Sequence, residues 1–86
     1  MTRNEATALL AGALHEVAPE VDLGAVDRRL PLQEVADIDS VDFLTLVAAV
    51  RARAGIDIPA RDYPKLATLD LFVSYLMSAP GEGYAR

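Results

Sequence analysis

The sequence predicts a small all-α protein, a four-helix bundle with three main helices and a short third helix. Three segments carry apolar residues at helical spacing, and no segment alternates apolar and polar residues as a strand would. With 86 residues, of which 52% are hydrophobic, the chain suits a single domain with its own core. We place that domain at residues 1–79, with a long loop between helices one and two, and expect a disordered tail at residues 80–86.

The first helix begins near the amino terminus. Thr2 and Glu5 have the spacing of a capping box, in which each side chain satisfies a backbone N–H of the other residue. A single apolar face follows at helical spacing, made of Ala6, Leu10, Ala13, Leu14 and Val17. We expect the helix to run to about Ala18, because Pro19 disfavours helical geometry in the residue before it.

A polar connection follows the first helix. Its apolar residues are spaced too irregularly for a continuous helix; they are Val21, Leu23, Val26, Leu30 and Leu32. We expect these residues to anchor a long loop that packs over the core and contains a short turn.

The second helix is predicted to begin after Asp39. Asp39 is a favourable N-cap, and Asp42 lies where the helix dipole favours negative charge. The buried face consists of Phe43, Leu46, Val47, Val50 and Ala54. Gly55 is placed to end the helix in a left-handed conformation.

The remaining segment, "IDIPARDYPKLAT", contains two prolines that prevent long regular structure. Ile56 and Ile58 are expected core anchors, and residues 60–63 are predicted to form the short third helix as a single turn. Thr68 then caps the last helix, whose core face is Leu69, Phe72, Val73 and Leu76. We expect the buried face of helix two to pack against Leu10, Leu14, Phe72 and Leu76.

The opposite face of helix two is unusually poor in charge. It carries Val41, Thr45, Ala48 and Ala52, with Leu44 nearby, where a surface helix normally shows Glu, Lys or Gln. One interpretation is a contact face for another protein. The other is that the alanines serve helix propensity and Val41 folds against the preceding loop.

Composition excludes several classes of site and partner. The chain has no cysteine, so disulfides, zinc–thiolate sites and cysteine nucleophiles are excluded. A net charge of −5 disfavours nucleic acid and anionic membrane as partners, and favours either a basic protein partner or simple solubility. Neither a secretory signal nor a membrane-spanning run is evident, so we expect a cytoplasmic protein.

No metal site or catalytic group is predicted. His15 is the only histidine, projects away from the core face of helix one, and is expected to be solvated. Asp37, Asp39 and Asp42 lack the glycine and glutamate spacing of a calcium loop. We therefore interpret these three carboxylates as serving helix capping and recognition.

Ser40 is the one residue whose position suggests covalent chemistry. A hydroxyl in the first turn of a helix lies beside N–H groups without helical partners, which stabilise an attached phosphate. An Asp-Ser pair before a helix is also a common ordinary cap. Taken alone, the pair leaves both interpretations open.

The wider pattern around Ser40 resembles the acyl carrier protein family across residues 2 to 78. The resemblance is carried by "DIDSVDFLTLVAAV", then "GIDIP", then "DYPKLATLDLFVSYL". It implies a bundle of the acyl-carrier-protein type, with Ser40 as the attachment point of 4'-phosphopantetheine from coenzyme A. Asp39 matches the acidic residue before that serine, and Val41 replaces the usual leucine after it. Asp37 stands where many members have glycine.

The resemblance implies a non-catalytic, freestanding carrier of acyl groups, held as thioesters in fatty-acid, polyketide or a dedicated specialised pathway. Its partners would be a phosphopantetheinyl transferase and acyl-activating or acyl-transferring enzymes, and we expect a monomer. The recognition surface is expected to comprise Asp37, Val41, Asp42, Thr45 and Ala48. Two alternatives stay open: an aminoacyl or peptidyl carrier with the same fold and serine, and a helical interaction domain in which Ser40 is unmodified.

Overall fold

The computed structural model describes residues 1–78, where the regular secondary structure is helical apart from one isolated bridge between Pro31 and Thr68. The α-helices are α1 (Arg3–Val17), α2 (Leu32–Val35), α3 (Ser40–Ala54) and α4 (Leu69–Met77), and two 3-10 segments cover Leu23–Ala25 and Ala60–Leu66. The predicted all-helical bundle is therefore confirmed for this part of the chain. The proposed domain end at residue 79 and the tail at residues 80–86 lie outside the described residues.

Helix α1 begins with the predicted capping box. The Glu5 amide donates to Thr2 Oγ1 at 3.1 Å, and the Thr2 amide donates to Glu5 Oε1 at 2.8 Å. The predicted face is buried at Ala6, Leu10, Ala13 and Leu14, whereas Val17, the last residue of the helix, is only half-buried. These four buried residues form the surface of α1 that meets α3 and α4.

The connection between α1 and α3 holds more structure than the sequence indicated. It contains the 3-10 segment Leu23–Ala25 and the single helical turn α2. Leu32 is fully buried, but the prediction that Leu30 anchors the loop is wrong, because its side chain is 46% exposed. The chain turns at residues 27–30, and both sides of this turn are hydrogen-bonded to the bundle. The Arg28 carbonyl accepts from the Asp70 amide at 3.0 Å, and the Leu32 amide donates to the Ala67 carbonyl at 2.7 Å.

Helix α3 has the predicted limits and the predicted buried face. Phe43, Leu46, Val47 and Val50 are buried, and Ala54 is half-buried. Gly55 ends the helix at φ 69°, a conformation that glycine adopts without steric cost. Because α1 packs against both α3 and α4, the core lies between these three helices.

The segment between α3 and α4 places a short helix against the core. Ile56 and Ile58 are buried as predicted, and the single predicted turn extends to the seven-residue 3-10 segment Ala60–Leu66, which packs on α4. Thr68 Oγ1 caps α4 by accepting from the Leu71 amide at 3.1 Å. The predicted core face of α4 is buried at Leu69, Phe72, Val73 and Leu76. Between residues 1 and 78, no helix combines the length and apolar character needed to cross a bilayer.

Candidate functional site

Ser40 is the first residue of α3, and it is exposed to solvent. The helix is capped by its neighbour Asp39, whose Oδ1 accepts from the Asp42 amide at 2.8 Å and whose carbonyl accepts from the Phe43 amide at 2.9 Å. The Ser40 hydroxyl makes no hydrogen bond within the described part of the chain. Capping therefore does not consume this hydroxyl, which stays available for reaction.

In the segment before Ser40, buried and exposed residues alternate, and the buried ones anchor the backbone. Ala36 and Ile38 are buried, whereas Asp37 and Asp39 are exposed. The Ile38 amide also donates to a carbonyl of α2 at 3.0 Å, which ties the loop to that turn. The buried residues Ala36 and Ile38 thus fix the backbone position of Ser40, although the Ser40 side chain makes no described hydrogen bond.

Asp37 has a left-handed backbone conformation, with φ 54°. Residues other than glycine rarely adopt it, although aspartate tolerates it better than most. The residue lies in the connection between α2 and α3. The sequence carries one signal for this conformation, which is an aspartate with high turn propensity shortly after a helical turn.

Backbone amides of the first turn of α3 lie beside the Ser40 hydroxyl. The first N–H groups of an α-helix have no acceptor within the helix. Asp39 satisfies the amide of Asp42, while the amides of Ser40 and Val41 donate to no described group. These two donors, together with the helix dipole, favour an anionic group attached at Ser40.

The outer face of α3 extends from Ser40 as an exposed and mostly uncharged surface. Val41 is 70% exposed and Leu44 is 49% exposed, and Thr45, Ala48 and Ala52 are exposed as well. Thr45 Oγ1 donates to the Val41 carbonyl at 3.0 Å, which satisfies that hydroxyl within the helix. Val41 does not fold against the preceding loop, so that part of the second interpretation is wrong, while the helix-propensity role of the alanines stays a prediction.

Charged groups flank this face at both ends. The carboxylates of Asp37 and Asp39 are exposed and that of Asp42 is half-buried beside Ser40. No cluster of three or more potential metal ligands occurs within residues 1–78. His15 is exposed, as predicted.

The two arginines at the far end of α3 are engaged in ion pairs. Arg51 Nη2 lies 3.4 Å from Asp57 Oδ1. The Nε of Arg53 donates to Glu16 Oε2 on α1 at 3.0 Å, and its Nη2 contacts the same oxygen. Gly12 permits this arrangement, because a Cβ there would lie 2.8 Å from Arg53 Nη1. Arg53 is thus directed to α1 and away from the uncharged face of α3.

A comparison with protein-family models finds no match to this chain, and a comparison with curated proteins finds no significant similarity.

Proposed function

We propose that this protein is an acyl carrier whose Ser40 bears a 4'-phosphopantetheine group. The proposal rests on one observation: the Ser40 hydroxyl, in the first turn of α3, is exposed and makes no described hydrogen bond. Asp39, and not Ser40, caps the helix. Phosphopantetheine attachment requires a serine that an enzyme can reach in a defined backbone setting. Ser40 meets both requirements.

The attachment step uses the oxygen of Ser40 as the nucleophile. That oxygen would form a bond to the phosphorus of the phosphopantetheine half as the pyrophosphate bond of coenzyme A breaks. Adenosine 3',5'-bisphosphate would leave, and the hydroxyl proton would pass to a base of the transferase. The resulting phosphodiester carries one negative charge. The amides of Ser40 and Val41 and the positive end of the α3 dipole stabilise that charge.

The residues around Ser40 fit such a group. Ser40 is exposed, so a linear arm attached there would extend into solvent. The amides of Ser40 and Val41, which have no described acceptor, could then hold its phosphodiester. When attached, the arm supplies the thiol that this cysteine-free chain lacks, and the thiol holds acyl groups as thioesters.

The backbone at Asp37 gives further support. Carrier proteins often have glycine at the corresponding position, and here Asp37 has the positive φ of 54° that glycine adopts most easily. The aspartate therefore preserves the chain geometry that a glycine would permit, at the cost of some backbone strain. It also adds a negative charge next to the attachment site.

Partner enzymes would contact the uncharged face of α3. This face starts at Val41 beside Ser40 and continues through Thr45 and Ala48, with Asp37 and Asp42 at its edge. Apolar contact in the centre, with charges at the rim, is the common arrangement of protein interfaces. A partner with an apolar patch and a few basic groups at the Ser40 end is the best complement to this surface.

Intact-mass spectrometry tests the proposal directly. The purified protein, incubated with coenzyme A and a broad-specificity phosphopantetheinyl transferase, is expected to gain the mass of one phosphopantetheinyl group. Ser40→Ala is expected to fold normally and gain nothing. Because Asp39 still caps α3 in that variant, its stability should fall by no more than about 1 kcal/mol.

Ser74→Ala is the matched control. Ser74 is also an exposed serine on a helix, but it lies within α4 and not at a helix start, so its variant should be modified as the wild type is. No modification under conditions that load a known carrier would favour the unmodified helical interaction domain. Modification of Ser40→Ala would place the group on another residue and refute Ser40 as the attachment site. Trapping the native thioester then distinguishes an acyl from an aminoacyl cargo.

A further inference from the structure

A second concave surface lies between the 3-10 segment Ala60–Leu66 and α4. This groove encloses about 670 Å³, within the range of about 300 to 1,000 Å³ that is usual for small-molecule pockets. One rim is formed by Asp57, which follows the carboxyl end of α3. A 15-residue helix is about 22 Å long, so this rim is remote from Ser40 at the other end of α3.

The groove has an apolar wall that no described residue covers. Pro59 and the ring of Tyr75 line it, and Leu71 contributes a side chain that is 48% exposed on the outer face of α4. A large apolar side chain beside a concave surface can bury part of itself against a bound molecule. This wall therefore suits a ligand with an apolar body.

The acidic groups of the groove already have partners. Asp62 Oδ2 accepts from the Tyr75 hydroxyl at 2.8 Å, and its Oδ1 lies 3.3 Å from Lys65 Nζ. Asp57 pairs with Arg51. Burial and the hydrogen bond to Asp62 raise the pKa of Tyr75 to about 12, so the phenol is neutral at pH 7. Tyr75 therefore adds no negative charge to the groove.

Arg61 adds a positive charge to the groove. The hydrogen bond from Tyr75, the contact with Lys65 and this charge together lower the pKa of Asp62. Arg61 makes no ion pair or hydrogen bond with any of residues 1–78, although it lines the same space as Leu71. The hydroxyl of Ser74, on the facing helix, is likewise unused. A guanidinium has a planar set of donors that matches a carboxylate, so the unsatisfied polar groups favour an anion.

We propose that this groove binds a small organic carboxylate with an apolar body, the carboxylate pairing with Arg61 and the body covering Leu71 and Pro59. The site goes beyond the carrier function, because it does not involve Ser40. Selectivity comes from Arg61: a cationic ligand of the same shape meets an unpaired positive charge there, and a neutral ligand gains only the apolar contact.

The probe is 4-phenylbutyrate, titrated into the full-length unmodified protein and followed by proton–nitrogen correlation NMR. We expect saturable shifts confined to the amides of residues 57–62 and 71–75, with a dissociation constant of about 1 mM or tighter. The neutral analogue 4-phenylbutanol should bind about fivefold more weakly, and 4-phenylbutylamine more weakly again.

Arg61→Gln should reduce the affinity for 4-phenylbutyrate to that for 4-phenylbutanol. Arg29→Gln is the matched control: this arginine is highly exposed and lies outside the groove, so its loss should leave binding unchanged. Ser40→Ala should also bind normally, which separates this proposal from the carrier function. The proposal is overturned by shifts that do not saturate by about 10 mM, by equal binding of the three probes, or by equal effects of the two arginine variants.

Discussion

Replacing Leu46 with alanine tests which face of α3 forms the core. Leu46 is fully buried near the middle of the helix, where α3 packs against α1. The substitution removes a buried branched side chain and leaves a cavity unless the neighbours move inward. Val50 and Phe43, one turn away on either side, are also buried, so they have little freedom to fill the space.

The expected loss lies in the upper part of the range for such substitutions, at about 3 to 5 kcal/mol of the free energy of unfolding. Domains are stable by only about 5 to 15 kcal/mol, so the variant loses a large share of its stability. At about 4 to 8 °C per kcal/mol for a domain of this size, the melting temperature should fall by more than about 12 °C.

Urea unfolding followed by far-UV circular dichroism measures this loss, with Ala48→Ser as the matched control. Ala48 lies half a turn from Leu46 on the exposed face, so the hydroxyl stays in water and only helix propensity changes, by about 0.5 kcal/mol. An equal loss in both variants, or a loss below about 1 kcal/mol for Leu46→Ala, would refute the assignment of the buried face.

Two further predictions concern the hydrogen bond at Tyr75 and the surface beside Ser40. Because the pKa of Tyr75 is raised in the folded protein, its contribution to stability is complete below its unfolded pKa of about 10 and disappears as the pH rises towards about 12. Urea unfolding across this pH range should show that loss in the wild type and not in Tyr75→Phe; identical profiles would contradict it. Val41→Asp should lower kcat/KM for loading by a phosphopantetheinyl transferase about tenfold, whereas Asp42→Asn should change it by less than about fivefold, because only the first puts a charge into the uncharged face. A silent Val41→Asp would remove that face from the contact with the transferase.

The helices could be predicted because the interactions that define them are local. The caps at Thr2, Asp39 and Thr68 each involve a backbone amide three residues away, and the left-handed end at Gly55 depends on a single residue. The buried face of each long helix follows from apolar spacing at the helical period, which is independent of the partner helix.

The exposure of Leu30 and the backbone conformation of Asp37 could not be predicted from the sequence, because both depend on how the connection between α1 and α3 packs on the bundle. Leu30 was expected to anchor the loop because it is apolar, but a turn before Pro31 leaves it exposed. Leu32 is buried, and its amide donates to the Ala67 carbonyl. The conformation of Asp37 was missed for a similar reason, since aspartate is compatible with several backbone geometries.

The sequence by itself determined the all-helical architecture, the faces of the three long helices and the place of Ser40 at the start of α3. Only the tertiary structure decided which charged side chains form ion pairs or hydrogen bonds with other parts of the chain. Arg53 is paired with Glu16, 37 residues earlier, and Asp62 with Tyr75, whereas Arg61 forms no ion pair or hydrogen bond within residues 1–78. Helical spacing places a residue on a face of its own helix, but the meeting of two side chains across helices depends on how the helices pack. That packing follows from the whole core, so no local stretch of sequence contains it.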